Sequence, residues 1–196
     1  MKTTRATRAV KPAKKPTTTG TRSARPETSK ARLGPKVGSP APSFSLPADS
    51  GDEISLAAQK GKWVVLYFYP RDNTPGCTRQ GIAFQAAAAA LKQRGAVVLG
   101  VSRDSIVSHC GFKEKQGLRF PLLSDPDSKV HKLYGAYGDK VMYGKTVTGA
   151  LRTTAIITPD GKLAKVFSNV KVDGHADAVL AALDEAKKAA AAASRG

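Results

Sequence analysis

The stretch Trp63-Val64-Val65-Leu66-Tyr67-Phe68-Tyr69 constrains this chain more than any other. Its residues are apolar, β-branched or aromatic without a break, so the run has neither the polar face of a surface helix nor the alternation of a half-wet strand. It fits a central strand covered on both sides, and such a strand requires a layer of other elements against each face. Pro70 ends the run, and Arg71-Asp72-Asn73 make a turn.

The flanking pattern supplies those layers. A helix is expected from Thr74 to about Arg94, stopped by Gly95, and a second buried strand over Ala96–Val101. A second helix runs from Asp104 to about Gln116 with Gly117 as its stop. Phe120–Leu123 follows as a short strand and Asp127–Tyr134 as a short helix. Thr154–Thr158 and Leu163–Phe167 form a hairpin about Pro159-Asp160-Gly161-Lys162, and a closing helix begins near Asp173 or Gly174. Upstream, Gly38-Ser39-Pro40-Ala41-Pro42 reads as a stiff lead-in to a strand at Ser43–Leu46. This order predicts a three-layer α/β domain with a mixed central sheet flanked by helices. Its expected span is residues 37–185, with 186–196 an alanine-rich helical or frayed end.

Composition matters chiefly for what lies outside that domain. The net charge is +17, and residues 1–36 hold eleven Lys or Arg against one acid, Glu27, which makes +10. So basic and apolar-poor a segment cannot offset its ordering entropy and is expected to be a disordered tail. Its charge offers weak, sequence-independent attraction to nucleic acid, against which stands a merely solubilising role; it has no aromatic residue on which bases could stack. No apolar run is long enough for a membrane span, and no short apolar core near Met1 marks a secretory leader. A cytoplasmic location follows, with an organelle leader in the N-terminal segment as the alternative.

Two cysteines, Cys77 and Cys110, are too few for a disulfide scaffold. Thiols this sparse are either inert and buried or reactive. Cys77 sits in Thr74-Pro75-Gly76-Cys77, where Thr74 suits an N-cap and Pro75 the first helical position. The sulfur is thereby expected in the first turn of a helix, where unpaired amides and the helix dipole favour a thiolate. The same geometry brings the Thr74 hydroxyl near the Cys77 amide, to cap the helix or to meet a substrate. Cys-x-x-Cys exchange chemistry is disfavoured, since Gln80 stands at the second position. His109, His131 and His175 show no ligand spacing, so neither a metal nor a cofactor is expected.

The motif Pro70-x-x-x-Thr74-x-x-Cys77, after an aromatic strand, closely resembles the peroxidatic motif of the peroxiredoxins. The wording YFYPRDNTPGCT is most similar to the bacterioferritin-comigratory protein, or peroxiredoxin Q, subfamily. The likeness continues through Gly100–Ser105, Phe120–Asp125, Met142–Lys145 and Arg152–Ile157. It implies a thioredoxin-like fold and a thiol peroxidase acting on hydrogen peroxide and organic hydroperoxides. Cys77 would be the peroxidatic cysteine, passing through a sulfenic acid. Thr74 would hydrogen-bond the peroxide, Pro70 would shield the sulfur, and Arg152 would favour the thiolate and the charge developing across the O–O bond.

The chain departs from the subfamily's commonest pattern, because Ile82 occupies the place of a resolving cysteine five residues after the first. Other members carry that cysteine on the next helix, and Cys110 is the one candidate. The resemblance thus implies a Cys77–Cys110 disulfide reduced by thioredoxin or a similar thiol, in a monomer. Two other readings stay open: Cys77 working alone with an external thiol, and a basic-tailed nucleic-acid-associated protein in which the thiol domain is secondary.

Overall fold

The computed structural model describes residues 34–142 and 144–193, so the reading of residues 1–36 as a disordered, nucleic-acid-attracting tail lies almost wholly outside the described residues. Among the described residues, nine strands and four α-helices occur in the order β1 (Ser45–Pro47), β2 (Glu53–Ser55), β3 (Trp63–Phe68), α1 (Pro75–Gln93), β4 (Ala96–Ser102), α2 (Ile106–Gln116), β5 (Leu122–Ser124), α3 (Lys129–Leu133), β6 (Tyr137–Met142), β7 (Lys145–Ala150), β8 (Thr153–Ile157), β9 (Leu163–Ser168) and α4 (His175–Ala193). The central sheet runs β5-β4-β3-β8-β9, with β3, β4 and β5 parallel to one another. β8 is antiparallel to both β3 and β9, so the sheet is mixed.

All six residues of β3 are buried, and strand alternation divides them between two cores. Val65, Tyr67 and Tyr69 face Phe84 and Leu91 of α1, Phe112 of α2 and Val179 and Leu183 of α4. Val64, Leu66 and Phe68 face Phe44, Leu46, Val130 and Tyr134 on the other side. Burying one such side chain is worth roughly 1.5–3 kcal/mol, which is why the run reads so clearly as a central strand. The stops are equally legible: Gly95 and Gly117 follow α1 and α2 with φ of 72° and 64°, a left-handed conformation that glycine adopts without strain. Arg94, at the end of α1, grips Asp184 of α4 through Nε–Oδ1 (2.8 Å) and Nη2–Oδ2 (3.0 Å).

Three strands, β2, β6 and β7, have no counterpart in the sequence reading. Residues 137–150 form the hairpin β6–β7, paired only with itself, and β7 is largely exposed. Its stability rests on ladder hydrogen bonds rather than on a buried face, so the apolar alternation that normally reveals a strand is missing. β2 is similarly short and half-exposed.

The closing helix brings His175 under the sheet. Its Nε2 lies 2.8 Å from Thr154 Oγ1, and the ring meets the edges of Phe84 and Phe167 at centroid distances of 5.8 and 5.2 Å. Burial pushes its pKa down to about 4. An unfolded histidine titrates near 6.5, so between these values the unfolded chain takes up a proton that the folded chain refuses. Stability is therefore complete above about pH 6.5, falls as pH drops towards 4, and loses up to about 2 kcal/mol by pH 4.5 through this group. Urea unfolding at pH 7 and 4.5 is expected to show a smaller acid loss in His175→Gln than in the unsubstituted protein; equal losses would remove His175 as the cause.

Candidate active site

β3 delivers the chain to the site. Beyond Phe68, residues 69–73 cross the carboxyl end of the sheet and α1 begins, with Thr74 as N-cap residue (φ −88°, ψ 147°) and Pro75 in the first turn. Cys77 falls in that first turn with 2% of its surface exposed. The N-terminal amides of a helix lack intrahelical acceptors, so the sulfur lies where the backbone presents its positive end.

Of the two uses expected for the Thr74 hydroxyl, capping is the one not seen. The side chain does not cap the helix near the Cys77 amide; Oγ1 instead donates to Arg71 O at 3.1 Å, three residues back. The hydroxyl proton closes the preceding turn, and the oxygen's lone pairs stay available as acceptors.

Arg152 arrives from a distant part of the sequence. Thr153 pairs with Phe68, so the residue immediately before β8 is brought beside the turn that follows β3. Its Nη2 donates to Cys77 Sγ at 3.4 Å and its Nη1 to Gln80 Oε1 at 2.8 Å. Gly76 makes the approach feasible: a Cβ there would stand 2.7 Å from Arg152 Nη2, well inside contact distance. A negative charge on Sγ therefore meets a guanidinium N–H on one side and the start of α1 on the other. Gln80 was missed as a site residue. It is buried one turn beyond Cys77, and the spacing of three on a helix is the signal that could have revealed it.

Behind the sulfur, Tyr67 and Tyr69 stay as neutral phenols. Burial foremost, then the charges of Cys77 and Asp72, pushes the Tyr67 pKa well above its ordinary value, and burial does the same for Tyr69. Neither can serve as a base.

A second assembly anchors the turn before α1. Asp72, buried, accepts from Tyr69 Oη (2.7 Å) and Ser108 Oγ (2.8 Å) and lies 2.8 Å from His109 Nδ1. His109 Nε2 reaches Leu123 O at 3.2 Å. Burial works to raise the Asp72 pKa, but the hydrogen bonds from His109, Tyr69 and Ser108 outweigh it and hold the carboxyl below its usual range. The Asp72 amide in turn donates to Asp104 Oδ2 at 2.9 Å. The turn leading to Cys77 is thus clamped to α2, and Asp72 and His109 join the residues that sequence reasoning missed.

Cys110 sits next to His109 but faces the other way. It is exposed, and its Sγ donates to Asp49 O at 3.3 Å. Both cysteines are free thiols. Among the described residues no three of His, Cys, Asp and Glu converge as a metal centre would require. Nor, among them, is any helix long and apolar enough to cross a membrane.

Residues 37–166 match the family model described as AhpC/TSA. The chain belongs to the AhpC/TSA family. Within it, the chain is 47% identical over 146 residues to peroxiredoxin Bcp of Xanthomonas campestris, covering 74% of this chain and 91% of that protein. Peroxiredoxin Bcp of Escherichia coli is 41% identical over 150 residues, covering 76% and 96%. Among solved structures, the bacterioferritin comigratory protein of X. campestris superposes with a TM-score of 0.69 at 45% identity, covering 72% of this chain and 90% of that one. That protein was captured as trapped-intermediate and ligand complexes bearing on alkyl peroxide reduction. This member of the AhpC/TSA family is accordingly a peroxiredoxin with a thioredoxin-like fold, a thiol peroxidase that takes a peroxide and a thiol reductant.

Proposed function

We propose that Cys77 is the peroxidatic thiol of this enzyme, and the observation that carries the assignment is the Arg152 guanidinium resting on its sulfur at the start of α1. The thiolate attacks the terminal oxygen of ROOH in line with the O–O bond. An S–O bond forms, the O–O bond breaks, and the alkoxide leaves and takes up a proton as ROH. Cys77 is oxidised to the sulfenic acid while the peroxide is reduced to the alcohol, or to water when the substrate is hydrogen peroxide. Arg152 stabilises charge passing from sulfur to the peroxide oxygens. Thr74 accepts a hydrogen bond from the peroxide O–H, since its own proton is held by Arg71 O. Pro70 keeps bulk water from the sulfur.

Cys110 then resolves the sulfenic acid. Its thiolate attacks the Cys77 sulfur, hydroxide departs as water, and a disulfide forms that a thioredoxin-like dithiol reduces. One sulfur is buried and the other exposed on a separate helix, so the first turn of α1 must open before they bond.

Mass spectrometry after one equivalent of peroxide tests the second half of this cycle. The expected product is a Cys77–Cys110 bridge, with a trappable sulfenic acid in Cys110→Ser. A sulfenic acid that persists with Cys110 present would exclude Cys110 as the resolving thiol.

A further inference from the structure

A cleft of about 500 Å³ flanks the catalytic turn, walled by Pro70, Arg71, Arg103 and Asp104 on one side and by Lys140 and Val147 of the β6–β7 hairpin on the other. Its position follows from the strand register. Phe68 pairs with Thr153, so Pro70 and Arg71, just past β3, lie at the sheet end from which Arg152 reaches Cys77. Ala150, two residues before Arg152, completes the wall. Arg71 also belongs to the turn that holds Thr74, through its carbonyl.

The cleft's charge is unbalanced. Arg71, Arg103 and Lys140 contribute three cations, and among the described residues none of them makes an ion pair. Lys140 Nζ donates to Ala150 O at 3.0 Å, and Arg103 Nε to Pro126 O at 3.3 Å with its guanidinium 5.9 Å from the Tyr137 ring. A lysine has three N–H donors and an arginine five, so both keep donors to spare. The one carboxylate in the wall, Asp104, is committed elsewhere: its Oδ2 accepts from the Asp72 amide at 2.9 Å and from Ser102 Oγ at 2.7 Å. Val147 stands opposite Lys140 in the hairpin register and adds a half-exposed apolar surface.

We propose that this cleft is a carboxylate-binding subsite, which selects organic hydroperoxides carrying an anionic group beyond the peroxide. The inference rests on Cys77 being the peroxidatic thiol. An apolar linker would lie along Val147 and the carboxylate would be held by Arg103 and Lys140, with charge-assisted hydrogen bonds setting the preference. Hydrogen peroxide, which has no such group, would gain nothing from it.

The test compares a tertiary alkyl hydroperoxide bearing a terminal carboxylate with its methyl ester, using hydrogen peroxide as reference. In the full-length protein kcat/KM is expected to favour the carboxylate by about tenfold, and raising the salt to 1 M, where charges are screened within about 3 Å, is expected to erase the preference. Lys140→Gln and the Arg103→Gln/Lys140→Gln pair are expected to lower turnover of the carboxylate alone, leaving the ester and hydrogen peroxide unchanged. A salt-insensitive preference, no preference, or one that survives the paired substitution would overturn the subsite. So would a loss in these variants confined to thioredoxin-dependent turnover, which would make the cleft a docking face for an acidic reductant. The salt series needs no substitution and stands even if the paired variant folds poorly. Failure of the Cys77 assignment would look different, because hydrogen peroxide itself would then be consumed without Cys77.

Discussion

Serine in place of Cys77 is expected to lower hydroperoxide turnover by about 10⁴-fold or more, to the background of the uncatalysed thiol assay. The substitution exchanges one sulfur for oxygen at a site with 2% exposure, so the packing against Tyr67 and Phe84 changes little and the fold is retained. What disappears is the nucleophile. A hydroxyl remains protonated at neutral pH, whereas a thiol can ionise, and only the anion attacks the peroxide oxygen. The second thiol does not compensate: Cys110 lies exposed against Asp49 O, away from the guanidinium. Peroxide consumption should be followed with hydrogen peroxide and an alkyl hydroperoxide, alongside a thermal melt to confirm folding. A folded Cys77→Ser protein that keeps even a tenth of the activity would end the assignment.

The next largest effect belongs to Arg152. Arg152→Ala is expected to reduce kcat/KM by roughly 10²–10³-fold, the scale seen when one preorganised donor to a developing charge is removed. The guanidinium does two things at once, donating through Nη2 to the sulfur and through Nη1 to Gln80. Lysine supplies a point charge without the planar fork, so Arg152→Lys should recover only part of the loss. Gln80→Ala, which keeps the charge but frees its orientation, should fall between Arg152→Lys and the unsubstituted enzyme. Pseudo-first-order peroxide decay with a non-enzymatic thiol reductant isolates the first chemical step from recycling. Arg152→Ala activity within threefold of the parent would show that the charge near Cys77 is incidental.

How much of this was legible in advance depended on the range of the interaction that encodes it. The β3 strand and the start of α1 are written in adjacent residues, Trp63–Tyr69 and Thr74–Cys77, because burial on both faces and helix initiation are local demands. The hairpin β6–β7 left no such trace, since its side chains bury little and its pairing is a backbone property. The Asp72–His109 pair was invisible for another reason. Its members are 37 positions apart, and in sequence Asp72 is an ordinary turn residue while His109 is a solitary imidazole. Arg152 came only from the family resemblance, and Gln80 gained meaning only once Arg152 was beside it. The Thr74 hydroxyl could satisfy either of two neighbours, and nothing local decides between them.

The Asp72 carboxylate, gripped at once by the turn before Cys77 and by the helix that carries Cys110, works as one pin through two hinges. Neither leaf can swing far while the pin is seated, and drawing it releases both. The hydrogen bonds that hold this carboxyl below its usual range are the ones that join the two leaves. A change at Ser108 or His109 would therefore loosen the turn before Cys77 without touching the sulfur itself.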